Sequence, residues 1–223
     1  MSRSFVPPDG TWVAGNEVLV QIDKAYPKDR FYSVRQHTLR LVWNIIKLDF
    51  IRPPLNWIGL GDVQSALDVF IAYLMLDALV GSQDRHHENW GFVVTPERAI
   101  HLAPTFDHAS SLGWNETDDS RIERLMTRDR RRNMDRYVER ARSAFFSSST
   151  STKPMLTSEV FKEASKLRPQ AARAWLERLS QISDNAIRVV FDQIPADRIS
   201  DAARDFAMKM LDLNQERLLK LEV

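Results

Sequence analysis

The sequence predicts a mainly α-helical chain with one small β-hairpin, and three observations carry that reading. Apolar residues recur at helical spacing over Asp62 to Leu79 and again through most of the last third of the chain. Two short runs rich in β-formers, Trp90–Val94 and Ala99–Leu102, flank the turn chemistry of Thr95-Pro96-Glu97-Arg98. With 223 residues, 43% of them hydrophobic, the chain is long enough for one full-sized core or two small lobes.

Taken in order, Phe5 to Tyr26 is turn-rich, with Pro7-Pro8-Asp9-Gly10 and Gly15-Asn16, and Glu17-Val18-Leu19-Val20 suits a strand or a brief helix. From Ser33, a plausible N-cap, Val34, Leu41, Val42, Ile45, Ile46 and Leu48 fall on one broad helical face until Pro53-Pro54. The strongest helix is predicted over Asp62 to Leu79, capped by Asp62 and apolar almost all round. Gly81 follows, able to take the left-handed conformation that stops a helix. After the hairpin, Asp107 to Asp119 is irregular, and Arg121 to Ala144 has helical spacing with dense arginine. Ser147 to Thr152 is a hydroxyl-rich loop, after which helices are predicted at Thr157–Leu167, at Pro169–Ile182, from Asp184, and from Asp197 or Ser200 to Leu221.

Composition excludes several classes. Thirty-one Lys and Arg against thirty Asp and Glu leave a charge of +1, so no broad field draws the chain to a polyanion, and direct nucleic-acid binding is not expected. Cysteine is absent, which removes disulfides and thiolate zinc sites and suits a reducing cytoplasm. Met1 to Pro8 has no apolar core of signal-peptide length, and the longest apolar run, Val63 to Val80, is broken by Asp68 and Asp77. A soluble cytoplasmic protein without a membrane partner is expected.

The chemistry concentrates in Gly81-Ser82-Gln83-Asp84-Arg85-His86-His87-Glu88-Asn89 and, beyond the hairpin, in His101-Leu102-Ala103-Pro104-Thr105-Phe106-Asp107-His108. These stretches hold four of the five histidines. An antiparallel hairpin returns the chain to its start, which should bring Asn89 and Asp107 together with Asp84 on the same rim. A loop carboxylate that can take a hydroxyl proton, followed by an amide and a second carboxylate as hard oxygen ligands, is the set phosphoryl transfer needs.

Asp84-Arg85-His86-x-x-Asn89 resembles the catalytic loop shared by phosphatidylinositol 3/4-kinases and the bacterial HipA-like Ser/Thr kinases. His101-Leu102-Ala103-Pro104-Thr105-Phe106-Asp107 is similar to the HipA-type metal-binding segment, whereas the lipid kinases would show Asp-Phe-Gly where this chain has Asp107-His108-Ala109. The likeness extends over roughly Ser4 to Leu112, including Ser4 to Pro8 and Gly15-Asn16-Glu17. It implies the C-terminal lobe of a HipA-like kinase using ATP and Mg²⁺ to phosphorylate a protein substrate. Asp84 would be the catalytic base, Asn89 and Asp107 the Mg²⁺ and cofactor ligands, His86 an organiser of the loop, and Arg85 the partner of a carboxylate or phosphate. A toxin–antitoxin setting, with an antitoxin-like protein or a separate N-terminal lobe as partner, is implied by the same likeness.

Such a kinase also needs a phosphate-covering loop and a strand lysine. None of the 7 glycines forms Gly-x-Gly-x-x-Gly, and Lys24, Lys28 and Lys47, the lysines before the catalytic loop, sit in turn-rich or helix-end positions. The expected layout is a turn-rich segment 1–32 leading from a missing N-terminal lobe, a kinase-like core 33–146, a Ser/Thr-rich loop 147–156 and a helical subdomain 157–223. Activity of such a truncated chain alone is expected to be weak or absent. Two other readings stay open: a non-catalytic pseudokinase or split-kinase binding module, and a metal-dependent phosphohydrolase using His86, His87, His101 and His108. Adjacent His86 and His87 point apart on an extended chain, and no His-Glu-x-x-His occurs. The nine arginines from Arg121 to Arg142 alternate with Glu123, Asp129, Asp135 and Glu139, the pattern of a helix laced with ion pairs.

Overall fold

The computed structural model describes residues 4–223, so Met1-Ser2-Arg3 of the N-terminal reading lies outside the described residues. The chain divides into two units, Met1–Tyr73 with Asp84–Asp107 and Ser143–Met155, and Leu74–Gln83 with His108–Arg142 and Leu156–Val223.

The first unit holds a four-stranded mixed sheet, larger than the hairpin the sequence predicts. Strands β1 (Thr11–Ala14), β2 (Ile51–Arg52), β3 (Gly91–Val94) and β4 (Ile100–Leu102) lie in the order β1-β3-β4-β2. The predicted hairpin is β3–β4, antiparallel with Phe92 opposite Leu102. Strand β1 adds antiparallel to β3, Thr11 opposite Val94, and β2 adds parallel to β4.

Helix α1 (Gly15–Ile22) follows β1 directly, so Glu17 to Val20 is helical. The Glu17 carboxylate accepts the Ala14 N–H over 3.2 Å, satisfying one of the donors a helix start leaves open. Gly15 is required here: a Cβ would overlap the Trp90 indole and the His87 carbonyl. The close approach permits Gly15 N–H to donate to Trp90 O at 2.9 Å and Asn16 N–H to His87 O at 2.8 Å.

Helix α2 (Leu39–Ile46) starts later than the apolar spacing suggests. Ser33 is not its cap but lies in the preceding loop at φ 56°, and Thr38 caps the helix by accepting the Leu41 N–H. Val34 is nevertheless buried from its position in the preceding turn, which is why it matched the helical stripe. Helix α3 (Ala66–Val80) is likewise shorter than predicted. Its start is a reciprocal box: Asp68 Oδ2 accepts the Ser65 N–H and Ser65 Oγ accepts the Asp68 N–H. Asp62 therefore lies outside the helix. Asp68 and Asp77 are buried within the apolar run of α3, and Asp68 accepts the N–H groups of Gln64 and Ser65.

The second unit is helical: the end of α3, then α4 (Asp118–Met126), α5 (Met134–Val138), α6 (Thr157–Leu167), α7 (Pro169–Ser180), α8 (Asp184–Asp192) and α9 (Asp201–Leu219). The caps are local and readable: Thr117, Asn133, Ser183 and Ser200 each accept a backbone N–H, and Pro169 opens α7. Arg121 to Ala144 is not one helix, because the chain turns between Met126 and Met134. Helix α9 is the axis of the unit, burying Phe206 and Met210 against Met134 and Val138, and Ala207 and Leu211 against Phe191. Helix α3 ends in a Schellman turn, Gly81 at φ 64° and Ser82 N–H donating to Asp77 O at 2.9 Å. Among the described residues no helix is long and apolar enough to cross a membrane.

Candidate active site

The segment from Asp84 to Asn89 has no regular secondary structure, so side chains must satisfy its backbone. The buried Asn89 supplies the first tie, its amide nitrogen donating to the Asp84 carbonyl over 2.6 Å. A carbonyl oxygen can only accept, so this bond turns the Asn89 side-chain oxygen the other way, where it accepts nothing among the described residues.

Arg85 supplies the second tie. It is 3% exposed, donating from Nη1 to the Asn89 carbonyl over 3.1 Å and from Nη2 to the Thr105 hydroxyl over 2.9 Å. Its guanidinium also lies 5.6 Å from the centre of the Tyr73 ring, whose hydroxyl donates to Ala103 O. One buried cation thereby joins the loop before β3 to the segment after β4.

His86 stands over the Asp84 carboxylate, Nε2 to Oδ1 3.6 Å, while its Nδ1 accepts the Glu88 N–H at 3.2 Å. The exposed rings of Phe31 and Tyr32 meet His86 edge-on at 6.3 and 6.0 Å.

Asp107 leaves the same end of the sheet as Asn89, since Ala103 N–H donates to Gly91 O at 3.0 Å where the two strands part. Phe106 is fixed by the rings of Phe5 and Trp12, at 5.4 and 5.3 Å. With Phe106 held, the chain turns at Asp107, which is exposed at φ 52°. Its carboxylate makes no hydrogen bond or ion pair among the described residues. The bonds thus gather Asp84, Arg85, His86 and Asn89 directly, and reach Asp107 through Thr105, two residues before it.

His37, His87 and His101 each engage a ring nitrogen elsewhere. His87 Nδ1 lies 2.8 Å from the Tyr26 hydroxyl, His37 Nε2 accepts the Trp90 indole N–H at 3.1 Å, and His101 Nδ1 lies 2.8 Å from Pro53 O. Burial pushes His37 down to about 3 and His87 down to about 4, so both are neutral structural groups. The His86 and His87 rings stand at 88° with their centroids 6.1 Å apart.

Sequence spacing singled out Asp84, His86, Asn89 and Asp107, but not Thr105, Tyr26 or Tyr73. A lone hydroxyl or phenol carries no signal until its partner's position is known.

No family model matches the chain, and no curated protein matches it in sequence. Among solved structures, the crystal structure of a proinflammatory kinase of Helicobacter pylori, CtkA, matches with a TM-score of 0.68 over 99% of this chain and 73% of that one. The fold is kinase-like. Identity across the match is 19%, so the likeness speaks for the architecture alone. Within a kinase-like fold, the mostly helical second unit and the small mixed sheet of the first are both accounted for.

Proposed function

We propose that this chain is a HipA-like protein kinase lobe that transfers the γ-phosphoryl group of ATP to a serine or threonine hydroxyl of a protein, in the manner of a toxin–antitoxin kinase. The observation that carries the reading is a pair of oxygens left over by the hydrogen-bond pattern, the Asn89 amide oxygen and the Asp107 carboxylate, beside a loop braced by Arg85. Two hard oxygen donors of this kind fit Mg²⁺ better than a soft metal. Asn89 and Asp107 would hold the ion, which when bound offsets the charge of the nucleotide phosphates.

The rest falls to the chain's own groups. Asp84 takes the proton from the attacking hydroxyl at its carboxylate. His86, 3.6 Å away, holds that carboxylate in place. Arg85, buried and committed to Asn89 and Thr105, positions the loop and does not touch phosphate. No Gly-x-Gly-x-x-Gly or strand lysine adds a phosphate clamp in this sequence, so turnover by these residues alone is slow.

Calorimetry with Mg²⁺-ATP and transfer of label from radioactive ATP to casein or to the chain itself test the reading. Binding should be lost in Asp107→Ala, and transfer, with binding retained, in Asp84→Ala. Transfer unaffected by Asp84→Ala overturns it. Binding without transfer in the parent chain supports the non-catalytic module instead, a reading favoured by the exposed Phe31 and Tyr32 rings beside His86.

A further inference from the structure

The arginines between Arg121 and Arg142 do more than lace a helix. Arg121 and Arg136 make close pairs with Asp118 and Glu139, while Arg124 and Arg132 reach Glu116 and Glu123. Arg128, Arg130, Arg131 and Arg140 have no acidic partner among the described residues.

Arg124, Arg131, Arg136 and Arg140 line one cavity of about 210 Å³ within the helical unit, and Glu116 is the only acidic residue in its wall. Arg124 is committed, Nε 3.2 Å and Nη2 3.4 Å from the Glu116 carboxylate and its guanidinium 4.8 Å from the centre of the Tyr137 ring. It braces the wall and neutralises Glu116. Arg136 is shared with Glu139 at 3.0 Å on the surface. Arg131 and Arg140 are left with their full charge and all their donors.

The floor of the recess packs against α9. Gly113, at φ 71°, lies so close to the Phe206 ring that no Cβ fits, and Gly81, at φ 64°, lies as close to the end of Met210. Both contacts are to α9, so the recess is shaped by the core of the unit. Trp114, 63% exposed, follows the Gly113 turn and stands at the rim with the amides of Gln83 and Asn115.

Cations gathered in one concave site repel each other, and the missing complement is an anion. Guanidinium forks suit a phosphate monoester, which accepts two parallel hydrogen bonds and carries about two charges. Arg136 and Arg140 also line a neighbouring cavity with Arg142, but the chain's net charge of +1 gives no wide field to hold a polyanion.

We propose that this recess binds the phosphate of a phosphorylated serine or threonine in a protein segment, with Arg131 and Arg140 as the forks and Trp114 packing on the residue beside it. The site is separate from the transfer chemistry, since it needs neither nucleotide nor Mg²⁺.

The test is fluorescence anisotropy of a labelled peptide with one central phosphoserine between glutamates, against its unphosphorylated twin, in buffer without nucleotide or Mg²⁺. The phosphopeptide should bind at least tenfold more tightly than the twin. R131A and R140A should each weaken it about tenfold, the loss expected for one charge-assisted contact. The paired variant R128A/R130A removes twice the charge of either single variant, outside the recess, and should leave binding unchanged. Inorganic phosphate should compete only at far higher concentration. Equal binding of the twin, an equal loss in R128A/R130A, or competition by inorganic phosphate at the peptide's own concentration would each overturn the proposal, as would tighter binding of an RNA oligonucleotide. Because ATP is absent, failure here leaves the kinase reading standing, and failure of transfer leaves this site standing.

Discussion

The amide nitrogen of Asn89 donates to the backbone carbonyl of Asp84 over 2.6 Å, so the two residues of the Asp-x-x-x-x-Asn spacing are tied to each other before any ligand arrives. One side chain thereby closes the loop through its nitrogen and leaves its oxygen facing away, available for the proposed Mg²⁺. Asn89→Ala should lose both functions, costing about 1 kcal/mol of stability through the bond and abolishing Mg²⁺-ATP binding. Asn89→Asp keeps an oxygen donor but cannot donate, so it should retain ion binding with a loosened loop. Chemical denaturation and calorimetry of the two variants separate the roles.

Arg85 reaches Thr105 and the Asn89 carbonyl from a buried position. Arg85→Ala leaves both acceptors unmet and opens a cavity, so a loss of about 3 kcal/mol is expected. Thr105→Val removes one partner and should cost about 1 kcal/mol. Denaturant titrations of both singles and the double should show coupling of about 1 kcal/mol; strict additivity would mean the contact carries no energy of its own.

Gly15 lies against Trp90 and the His87 carbonyl with no space for a methyl group. Gly15→Ala should therefore push α1 off the Asp84–Asn89 loop at a cost of about 1–3 kcal/mol. Near-ultraviolet circular dichroism of the Trp90 environment, together with urea unfolding, reads the displacement and the cost.

The parts of the fold legible in the sequence are those with local causes. Ser200, Ser183 and Pro169 mark helix starts by chemistry confined to one turn, and Trp90 to Leu102 is a hairpin closed within a few residues. Strand β1 was not legible, because Thr11 to Ala14 becomes a strand only through pairing with Gly91 to Val94, far along the chain. Ser33 resembles a cap because apolar Val34 follows it at helical spacing, but at α2 it is Thr38 whose hydroxyl reaches a helical N–H. The site divides in the same way. Asp84 and Asn89 are visible as a spacing, whereas the Arg85–Thr105 and Tyr26–His87 contacts exist only once the sheet has formed.

His37 and His87 make the stability of the first unit sensitive to acid. Trp90 Nε1 donates to His37 Nε2, which leaves the His37 proton on Nδ1, 3.2 Å from the Ala144 carbonyl. A second proton on Nε2 would set one N–H against another. The Tyr26 hydroxyl, whose ionisation burial pushes upward, is hydrogen-bonded to His87 Nδ1, and His87 Nε2 is buried without a hydrogen-bond partner among the described residues. Tyr26 and His86 are the titratable groups in ring contact with His37 or His87 from outside the pair, and His86 disfavours charge on both. The fold therefore holds His37 at about 3 and His87 at about 4, while the unfolded chain takes up protons near 6.5. Below that value the unfolded state binds more protons than the folded one, so stability falls as pH falls, levelling once the folded pKa values are passed. Each histidine removes up to about 1.4 kcal/mol per pH unit within that window. Urea midpoints measured between pH 7.5 and 4.5, values set by those pKa positions, should decline steadily below about 6.5. His87→Gln should flatten the slope by about half. A midpoint independent of pH in the parent chain would mean that neither ring is held neutral by burial.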